Sequence, residues 1–120
     1  MKKELLVIDD EPLVCRALSA FFTERGCRVS TASTAHEAMN QLQRTKADVI
    51  LLDLKLPDSS GLDVLTDLKK KFPHVRVVVI SGCADLPTIE EAMHRGASGY
   101  LAKPFDFARC FYAAMGIEPV

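Results

Sequence analysis

The sequence lacks long hydrophobic runs, an excess of charge of one sign and closely paired cysteines. Its apolar runs fall far short of the ~20 residues of a membrane-spanning helix, so we expect no membrane segment. Its 15 basic and 16 acidic residues give a formal net charge of −1, which offers no basic excess for nucleic-acid binding. No C-x-x-C pair is present, which argues against zinc and disulfides and favours reduced thiols in a cytoplasmic protein. The four cysteines are Cys15, Cys27, Cys83 and Cys110.

The composition of the chain is that of an ordinary soluble, globular protein. Its 120 residues are 48% hydrophobic and 26% charged, close to the average for such proteins. At this length we expect one domain that spans residues 1–120. A chain of this size buries roughly two-thirds of its unfolded surface, so it needs neither a metal nor a disulfide to fold.

Short apolar runs alternate along the chain with segments of helical periodicity. Runs that are apolar without alternation are typical of parallel strands covered on both faces. The clear runs are Leu5–Ile8, Val49–Leu52 and Val75–Ile80, and weaker ones are Arg28–Ala32 and Ser98–Ala102.

Between these runs, apolar residues spaced three and four positions apart predict five amphipathic helices. Thr34 and Asp106 have the residue types of N-caps, whereas Gly26 and Gly96 lie where helices would end. The five apolar stripes are Val14, Ala17, Leu18 and Phe21; Ala35, Ala38, Met39 and Leu42; Leu65, Leu68 and Phe72; Ile89, Ala92 and Met93; and Phe107, Cys110, Phe111 and Ala114.

This regular alternation of strand and helix predicts an α/β fold. We expect one doubly wound (βα)5 domain, in which a parallel five-stranded sheet carries helices on both faces and all crossovers are right-handed. In such a sheet, ligands bind outside the carboxyl ends of the strands. The residues that follow the strands are therefore the first candidates for a functional site.

Chemically active side chains follow four of the five predicted strands. The first strand is followed by Asp9 and Asp10, the third by Asp53, the fourth by Ser81 and the fifth by Lys103. Because the carboxyl ends of parallel strands meet at one edge of the sheet, we expect these five side chains to converge.

Three neighbouring carboxylates repel one another unless a cation lies between them. Mg²⁺ is the obvious candidate because it prefers oxygen ligands and binds carboxylates together with phosphate. With Mg²⁺ held by Asp9, Asp10 and Asp53, a phosphoryl group can dock beside it. Lys103 can then pair with one phosphoryl oxygen and Ser81 can donate to another. Asp53 is left as a nucleophile that forms an aspartyl phosphate.

Each of these residues also has an ordinary local explanation. Asp10 can cap the helix that begins near Pro12, and Asp53 can cap a turn. Ser81 and Lys103 can be plain loop and surface residues. These explanations account poorly for the whole set, because four of five strands would have to end in suitable groups by accident.

The residues at these strand ends carry a family resemblance. From Leu5 to about Ala114, the chain resembles the receiver domain of two-component response regulators. The resemblance implies a flavodoxin-like sheet with strand order 2-1-3-4-5, an order given for a member of this family as a known example. The motifs that carry it are VIDDEP (residues 7–12), LLDLKLPDSSG (51–61), VISG (79–82) and YLAKPF (100–105).

The resemblance also implies a role for each residue of the site. Asp53 corresponds to the phosphoacceptor, which receives its phosphoryl group from a sensor histidine kinase or a phosphotransfer protein. Asp9, Asp10, Asp53 and the backbone carbonyl of Lys55 correspond to the Mg²⁺ ligands. Lys103 corresponds to the lysine that pairs with the phosphoryl group, and Lys103–Pro104 to a cis peptide bond.

A switch is implied as well, with Ser81 as its hydroxyl and Tyr100 as the aromatic side chain that turns inward. The surface of the fourth helix, fifth strand and fifth helix would then change and control a homodimer or an effector domain. The last helix is apolar on nearly all sides, so we expect Phe111, Tyr112 and Met115 to contact another chain or domain. The alternative is that its Phe residues pack inward.

Other functions fit the residues less well. An aspartate-nucleophile phosphohydrolase would want a second acid two residues after Asp53, where this chain has Lys55. An FMN carrier would want a Gly/Ser/Thr-rich phosphate loop after the first strand, where this chain has acids. A binding module that has lost phosphorylation stays an alternative. We expect a phosphoacceptor switch rather than an enzyme, with a phosphoryl lifetime altered by Lys55.

Overall fold

Five strands alternate with five helices in the computed structural model, which describes residues 2–82 and 85–117. Each predicted run and stripe lies in the element expected of it, apart from end residues such as Val75 and Ser98. The elements are β1 (Glu4–Ile8), α1 (Pro12–Glu24), β2 (Arg28–Ala32), α2 (Ala35–Arg44), β3 (Val49–Asp53), α3 (Gly61–Lys71), β4 (Arg76–Ser81), α4 (Leu86–His94), β5 (Gly99–Ala102) and α5 (Phe107–Met115).

The strands form one parallel sheet in the order β2-β1-β3-β4-β5. The strand order that the family resemblance implied is confirmed. The order reverses between β1 and β3, which pair directly, with Ile8 opposite Leu52. This pairing brings the carboxyl ends of β1 and β3 side by side, so the residues that follow Ile8 and Leu52 lie next to each other.

Successive residues of the central strands point to opposite faces of the sheet, and each face has its own core. Leu5 and Val7 pack in a cluster with residues of α1 and α5. Leu6 and Ile8 pack in the other cluster, with residues of α2, α3 and α4. The sheet is therefore covered on both sides, as its continuous apolar runs predicted.

The predicted caps are present at the helix ends. Thr34 accepts a hydrogen bond from the backbone N–H of Glu37, and Asp106 accepts from the N–H groups of α5. Gly26 follows α1 with φ of 88° and Gly96 follows α4 with φ of 105°. These positive values are the left-handed conformations that glycine adopts without a steric penalty.

Two helices differ from their predicted stripes. In α1 the fully buried aromatic residue is Phe22, whereas Phe21 is half-buried. The ring centroids of Phe21 and Phe107 lie 5.1 Å apart, and the guanidinium carbon of Arg25 lies 3.6 Å from the centroid of the Phe21 ring. Phe21 thus covers the edge of the core. In α4, Met93 is 45% exposed, because Ala92 is the fully buried residue of this short helix.

Two further findings concern the cysteines and the length of the helices. Cys15, Cys27 and Cys110 are free thiols, and Cys83 lies outside the described residues. Between residues 2 and 117, leaving out 83 and 84, no helix has the length and hydropathy required to cross a membrane.

The start of α3 requires glycine because its backbone touches the loop that follows β3. A Cβ atom at Gly61 would lie 2.2 Å from Leu54 Cα, and the N–H of Gly61 donates to Leu54 O at 3.0 Å. We predict that Gly61→Ala lowers the free energy of unfolding by about 3 kcal/mol, the upper end of the usual cost of overpacking. Urea denaturation measures it.

The matched control for this substitution is Gly82→Ala. Gly82 is exposed, has no positive φ, and nothing lies within 4 Å of a Cβ atom placed there. Gly82→Ala should therefore change stability by less than about 0.5 kcal/mol. Equal unfolding free energies for the two variants would contradict the close approach at Gly61.

Candidate functional site

Three carboxylates meet at the carboxyl edge of the sheet, where β1 and β3 end. Asp9 directly follows β1 and is 1% exposed; Asp53 is the last residue of β3 and is 4% exposed. Asp10 is exposed at the rim. Each of the three offers a carboxylate oxygen, and these oxygens lie within 4.8 Å of one another. The sequence prediction that these acids converge is confirmed.

The two buried carboxylates are oriented by the backbone in the same way. Asp9 Oδ1 accepts from the N–H of Glu11 at 2.9 Å, and Asp53 Oδ1 accepts from the N–H of Lys55 at 3.0 Å. Each bond joins an aspartate to the amide two residues further along, as in an Asx-turn. One oxygen of each carboxylate is thereby fixed, and the other, Oδ2, faces the centre of the site.

Lys103 supplies the positive charge at this centre. Its Nζ lies 3.0 Å from Asp9 Oδ2, 3.0 Å from Asp53 Oδ2 and 2.7 Å from Glu11 Oε1. The lysine is held after β5 by a hydrogen bond from its N–H to the carbonyl oxygen of Ser81, at 2.8 Å. The Lys103–Pro104 peptide bond is cis, as the resemblance implied.

Negative charges outnumber positive charges in the site. Burial, together with the charge of Asp53, raises the pKa of Asp9 in spite of its hydrogen bond from the Glu11 N–H and its pairing with Lys103. Burial lowers the pKa of Lys103, but its close contacts with the carboxylates of Glu11, Asp9 and Asp53 outweigh that effect and raise the pKa above its ordinary value. A single ammonium thus faces three carboxylates in direct contact, with Asp10 nearby.

This arrangement fits a divalent cation. Asp9 Oδ2 is fully buried and accepts no well-directed hydrogen bond, although it forms an ion pair with Lys103. Buried oxygens are normally satisfied by hydrogen bonds or by ions. Three converging carboxylates with one unsatisfied oxygen form the donor set that hard cations such as Mg²⁺ or Ca²⁺ prefer.

The remaining predicted residues lie at or near the same edge. Ser81 ends β4, is 1% exposed, and follows Ile80, the partner of Asp53 in the sheet. Tyr100 lies on β5, opposite Val79 and partly buried against the core of α2, α3 and α4. The exposed side chain of Lys55 follows Asp53. The switch role of Ser81 and Tyr100, and the Lys55 carbonyl as a ligand, stay predictions.

Two residues for which the sequence predicted no role, Glu11 and Asp58, make long-range contacts. Glu11 contacts Lys103. The only sequence signal for it is its place directly after Asp9 and Asp10 in an acidic run. Asp58 accepts hydrogen bonds from the N–H groups of Ala35 at 2.9 Å and His36 at 3.0 Å, and these bonds lower the pKa of Asp58. The loop after Asp53 is thereby tied to the start of α2. No sequence pattern indicated this contact, because it spans 22 and 23 residues.

The local explanation of Asp10 as a helix cap is not supported, because the N-cap residue of α1 is Glu11. Of the three α5 residues expected to contact another chain or domain, Phe111 packs inward, and contact of Tyr112 and Met115 stays a prediction. The ring of Phe111 lies 6.1 Å from that of Phe22, and Phe111 packs with the α1–α5 core. Phe111 is therefore directed inward, as the alternative held, while Tyr112 and Met115 are partly buried.

Comparison with known families identifies the class of protein that this fold and site define. The model of the response regulator receiver domain matches residues 5–114, and the chain belongs to this family. KdpE, a transcriptional regulatory protein of Mycobacterium tuberculosis, is 44% identical over 101 residues, which are 84% of this chain and 44% of KdpE. AlgB, the alginate biosynthesis transcriptional regulatory protein of Pseudomonas aeruginosa, is 38% identical over 100 residues, 83% of this chain and 22% of AlgB. The chain thus spans less than half the length of these relatives.

Solved structures agree with this assignment. A response regulator of Burkholderia pseudomallei, crystallised with a phosphorylated aspartic acid, a calcium ion and citrate, has a TM-score of 0.88 and 33% identity, over 94% of this chain and 66% of that one. A CheY-like receiver domain of Methanospirillum hungatei, at 24% identity, shares the fold, with a TM-score of 0.92 over 97% of this chain and 93% of that one.

Divalent ions should stabilise this protein through the three carboxylates. At about 100 times the dissociation constant, an ion that binds only the folded state adds about 2.7 kcal/mol, or a rise in melting temperature of roughly 10 °C. We predict this rise with Mg²⁺ for the wild type and a much smaller one for Asp10→Asn. Differential scanning calorimetry with and without Mg²⁺ measures both.

Asp67→Asn is the control, because Asp67 is exposed on α3 and outside the acidic cluster. It should keep the full effect of Mg²⁺. Equal shifts for Asp10→Asn and the wild type would show that the ion acts elsewhere on the protein.

Proposed function

We propose that Asp53 accepts a phosphoryl group from the phosphohistidine of a sensor histidine kinase or a phosphotransfer protein. The observation that carries this proposal is the environment of Asp53 at the end of β3. Its Oδ1 accepts from the N–H of Lys55, and its Oδ2 lies 3.0 Å from Lys103 Nζ, beside the carboxylate of Asp9. The phosphorylated aspartic acid of the Burkholderia pseudomallei relative supports the same chemistry.

In this reaction, a carboxylate oxygen of Asp53 attacks phosphorus and forms an O–P bond. The P–N bond of the phosphohistidine breaks, and its electron pair returns to the ring nitrogen, which takes up one proton so that the histidine leaves as neutral imidazole. The phosphoryl group brings about −1.5 to −2 charges and three strong acceptor oxygens. Lys103 pairs with one of these oxygens and Ser81 donates its hydroxyl to another.

The residues at this edge would hold Mg²⁺ as the cofactor of the site. Asp9, Asp10, Asp53 and the backbone carbonyl of Lys55 are the proposed ligands. When bound, the ion neutralises part of the negative charge that the carboxylates and the phosphoryl group bring together. The calcium ion of the Burkholderia pseudomallei relative supports a divalent cation in such a site.

The product of phosphorylation is a changed surface. Movement of Ser81 toward the phosphoryl group opens space for Tyr100, whose side chain already packs against the core on the α4 side of the sheet. The α4-β5-α5 surface then changes shape and controls a homodimer or an effector domain, a local charge acting on an element with two states. The names of KdpE and AlgB as transcriptional regulatory proteins support an effector domain.

The other proposed properties follow from this role. Residues 1–120 act as one receiver domain in the cytoplasm, and the net charge of −1 supports an output that does not need this domain to bind nucleic acid. The domain is a phosphoacceptor that catalyses only its own modification. It is not a phosphohydrolase, because the second acid that such an enzyme would use is replaced by Lys55.

Acetyl phosphate tests the phosphoacceptor directly. With Mg²⁺, the wild type should gain one phosphoryl group per chain, observed by intact-protein mass spectrometry. Asp53→Asn should gain none, because its neutral amide is not a nucleophile as the carboxylate is. Asp67→Asn, exposed on α3, should react as the wild type does. A phosphoryl mass that persists in Asp53→Asn would move the acceptor to another residue.

Lys55 should affect the lifetime of the phosphoryl group, because its exposed side chain follows Asp53 by two residues. A cation there can stabilise the phosphoryl group or hinder the attacking water. We predict that Lys55→Ala changes the dephosphorylation rate severalfold, measured by loss of phosphoryl mass after removal of the donor. Lys70→Ala, which removes a lysine exposed on α3, should leave the rate unchanged. Identical rates for Lys55→Ala and the wild type would rule out the effect.

A further inference from the structure

Glu11 makes the shortest of the three contacts to Lys103, at 2.7 Å against 3.0 Å for each aspartate. It does so from the rim of the site, since its side chain is 59% exposed, whereas those of Asp9 and Asp53 are almost fully buried. Glu11 does not belong to the cluster of three carboxylates that can share an ion. Its carboxylate therefore acts on Lys103 from outside the proposed metal site.

The position of Glu11 in the chain leaves its side chain available for this contact. Glu11 is the N-cap residue of α1, where a short polar side chain usually accepts from the first helical N–H groups. Its side chain forms no cap hydrogen bond and instead accepts from Lys103 Nζ. Its backbone N–H is bound by Asp9 Oδ1, which fixes the start of the side chain beside the site.

Lys103 cannot serve every acceptor at once. An ammonium group has three N–H donors, and three carboxylates already surround it: Glu11 and Asp53 accept directed hydrogen bonds, and Asp9 Oδ2 lies 3.0 Å from Nζ. A phosphoryl oxygen that pairs with the lysine must compete with these acceptors. Glu11 is the acceptor that can be released at least cost, because its exposed carboxylate is readily hydrated by water.

We infer that Glu11 is a positioning residue that competes with the incoming phosphoryl group for Lys103 and thereby slows the phosphorylation of Asp53. This inference rests on the proposed function, since it concerns how the same site is regulated. The carboxylate of Glu11 holds the lysine before phosphorylation and adds a negative charge where an anionic donor must approach. Removing that charge while keeping the size of the side chain should accelerate the reaction.

The test compares Glu11→Gln with the wild type in phosphorylation by acetyl phosphate, followed by intact-protein mass spectrometry at saturating Mg²⁺. The rate should rise two- to fivefold, the size of effect that an exposed ion pair typically carries. The rise should shrink toward one as ionic strength is increased to about 1 M, because salt screens the charge. Glu11→Asp, which keeps the charge, should stay closer to the wild type than Glu11→Gln does.

Glu24→Gln is the matched control, because it makes the same change in charge on the same helix, at its opposite end and exposed. Its rate should equal that of the wild type. A second measurement needs no phosphorylation. ¹⁵N relaxation should show that the Lys103 ammonium group is more mobile in Glu11→Gln than in the wild type, and equally mobile in Glu24→Gln and the wild type. A merely structural role of Glu11 would give neither the salt dependence nor the difference between Glu11→Gln and Glu11→Asp.

The outcomes separate this inference from the proposed function. If the wild type is phosphorylated on Asp53 and Glu11→Gln reacts at the same rate or more slowly, the competition is wrong and the phosphoacceptor stands. A slower Glu11→Gln would mean that Glu11 orients the lysine for the reaction. If the wild type gains no phosphoryl group from acetyl phosphate, the proposed function fails and this inference fails with it.

Discussion

The pairing of one partly buried lysine with carboxylates at the ends of two neighbouring strands is the interaction on which this site depends. Lys103 follows β5, whereas Asp9 directly follows β1 and Asp53 is the last residue of β3. Two negative charges can stay together in a mostly buried place only when cations compensate them. The lysine compensates part of this charge, and Asp9 Oδ2, which accepts no directed hydrogen bond, lies in a cluster of carboxylates that can hold a divalent ion.

The sheet makes this arrangement rigid. Leu5 to Ile8 and Val49 to Leu52 are buried on both faces, so β1 and β3 cannot shift in register without exposing their cores. The charged groups begin directly where these apolar strands end. The placement of Asp9 and Asp53 is thus a consequence of hydrophobic burial, and the backbone amides of Glu11 and Lys55 then set the direction of each carboxylate.

Much of this could be predicted from the sequence because the signals are local. Apolar runs located the strands to within one or two residues, and the direction of parallel strands implied that Asp9, Asp10 and Asp53 share an edge. The contact between Glu11 and Lys103 joins residues 92 positions apart, so only the packed structure reveals it. The sequence also predicted Phe21, and not Phe22, as the buried aromatic residue of α1. A helix rotates by 100° per residue, so its periodicity alone fixes the buried face only approximately.

The bond from Asp58 to the first turn of α2 has a consequence for how this family is compared. Asp58 recognises the amide groups of Ala35 and His36, not their side chains. Any residue except proline offers such an amide, so positions 35 and 36 can vary among relatives without loss of the bond. A hydrogen bond of this kind produces no paired substitutions, so covariation between positions would not detect the link between the loop after Asp53 and helix α2.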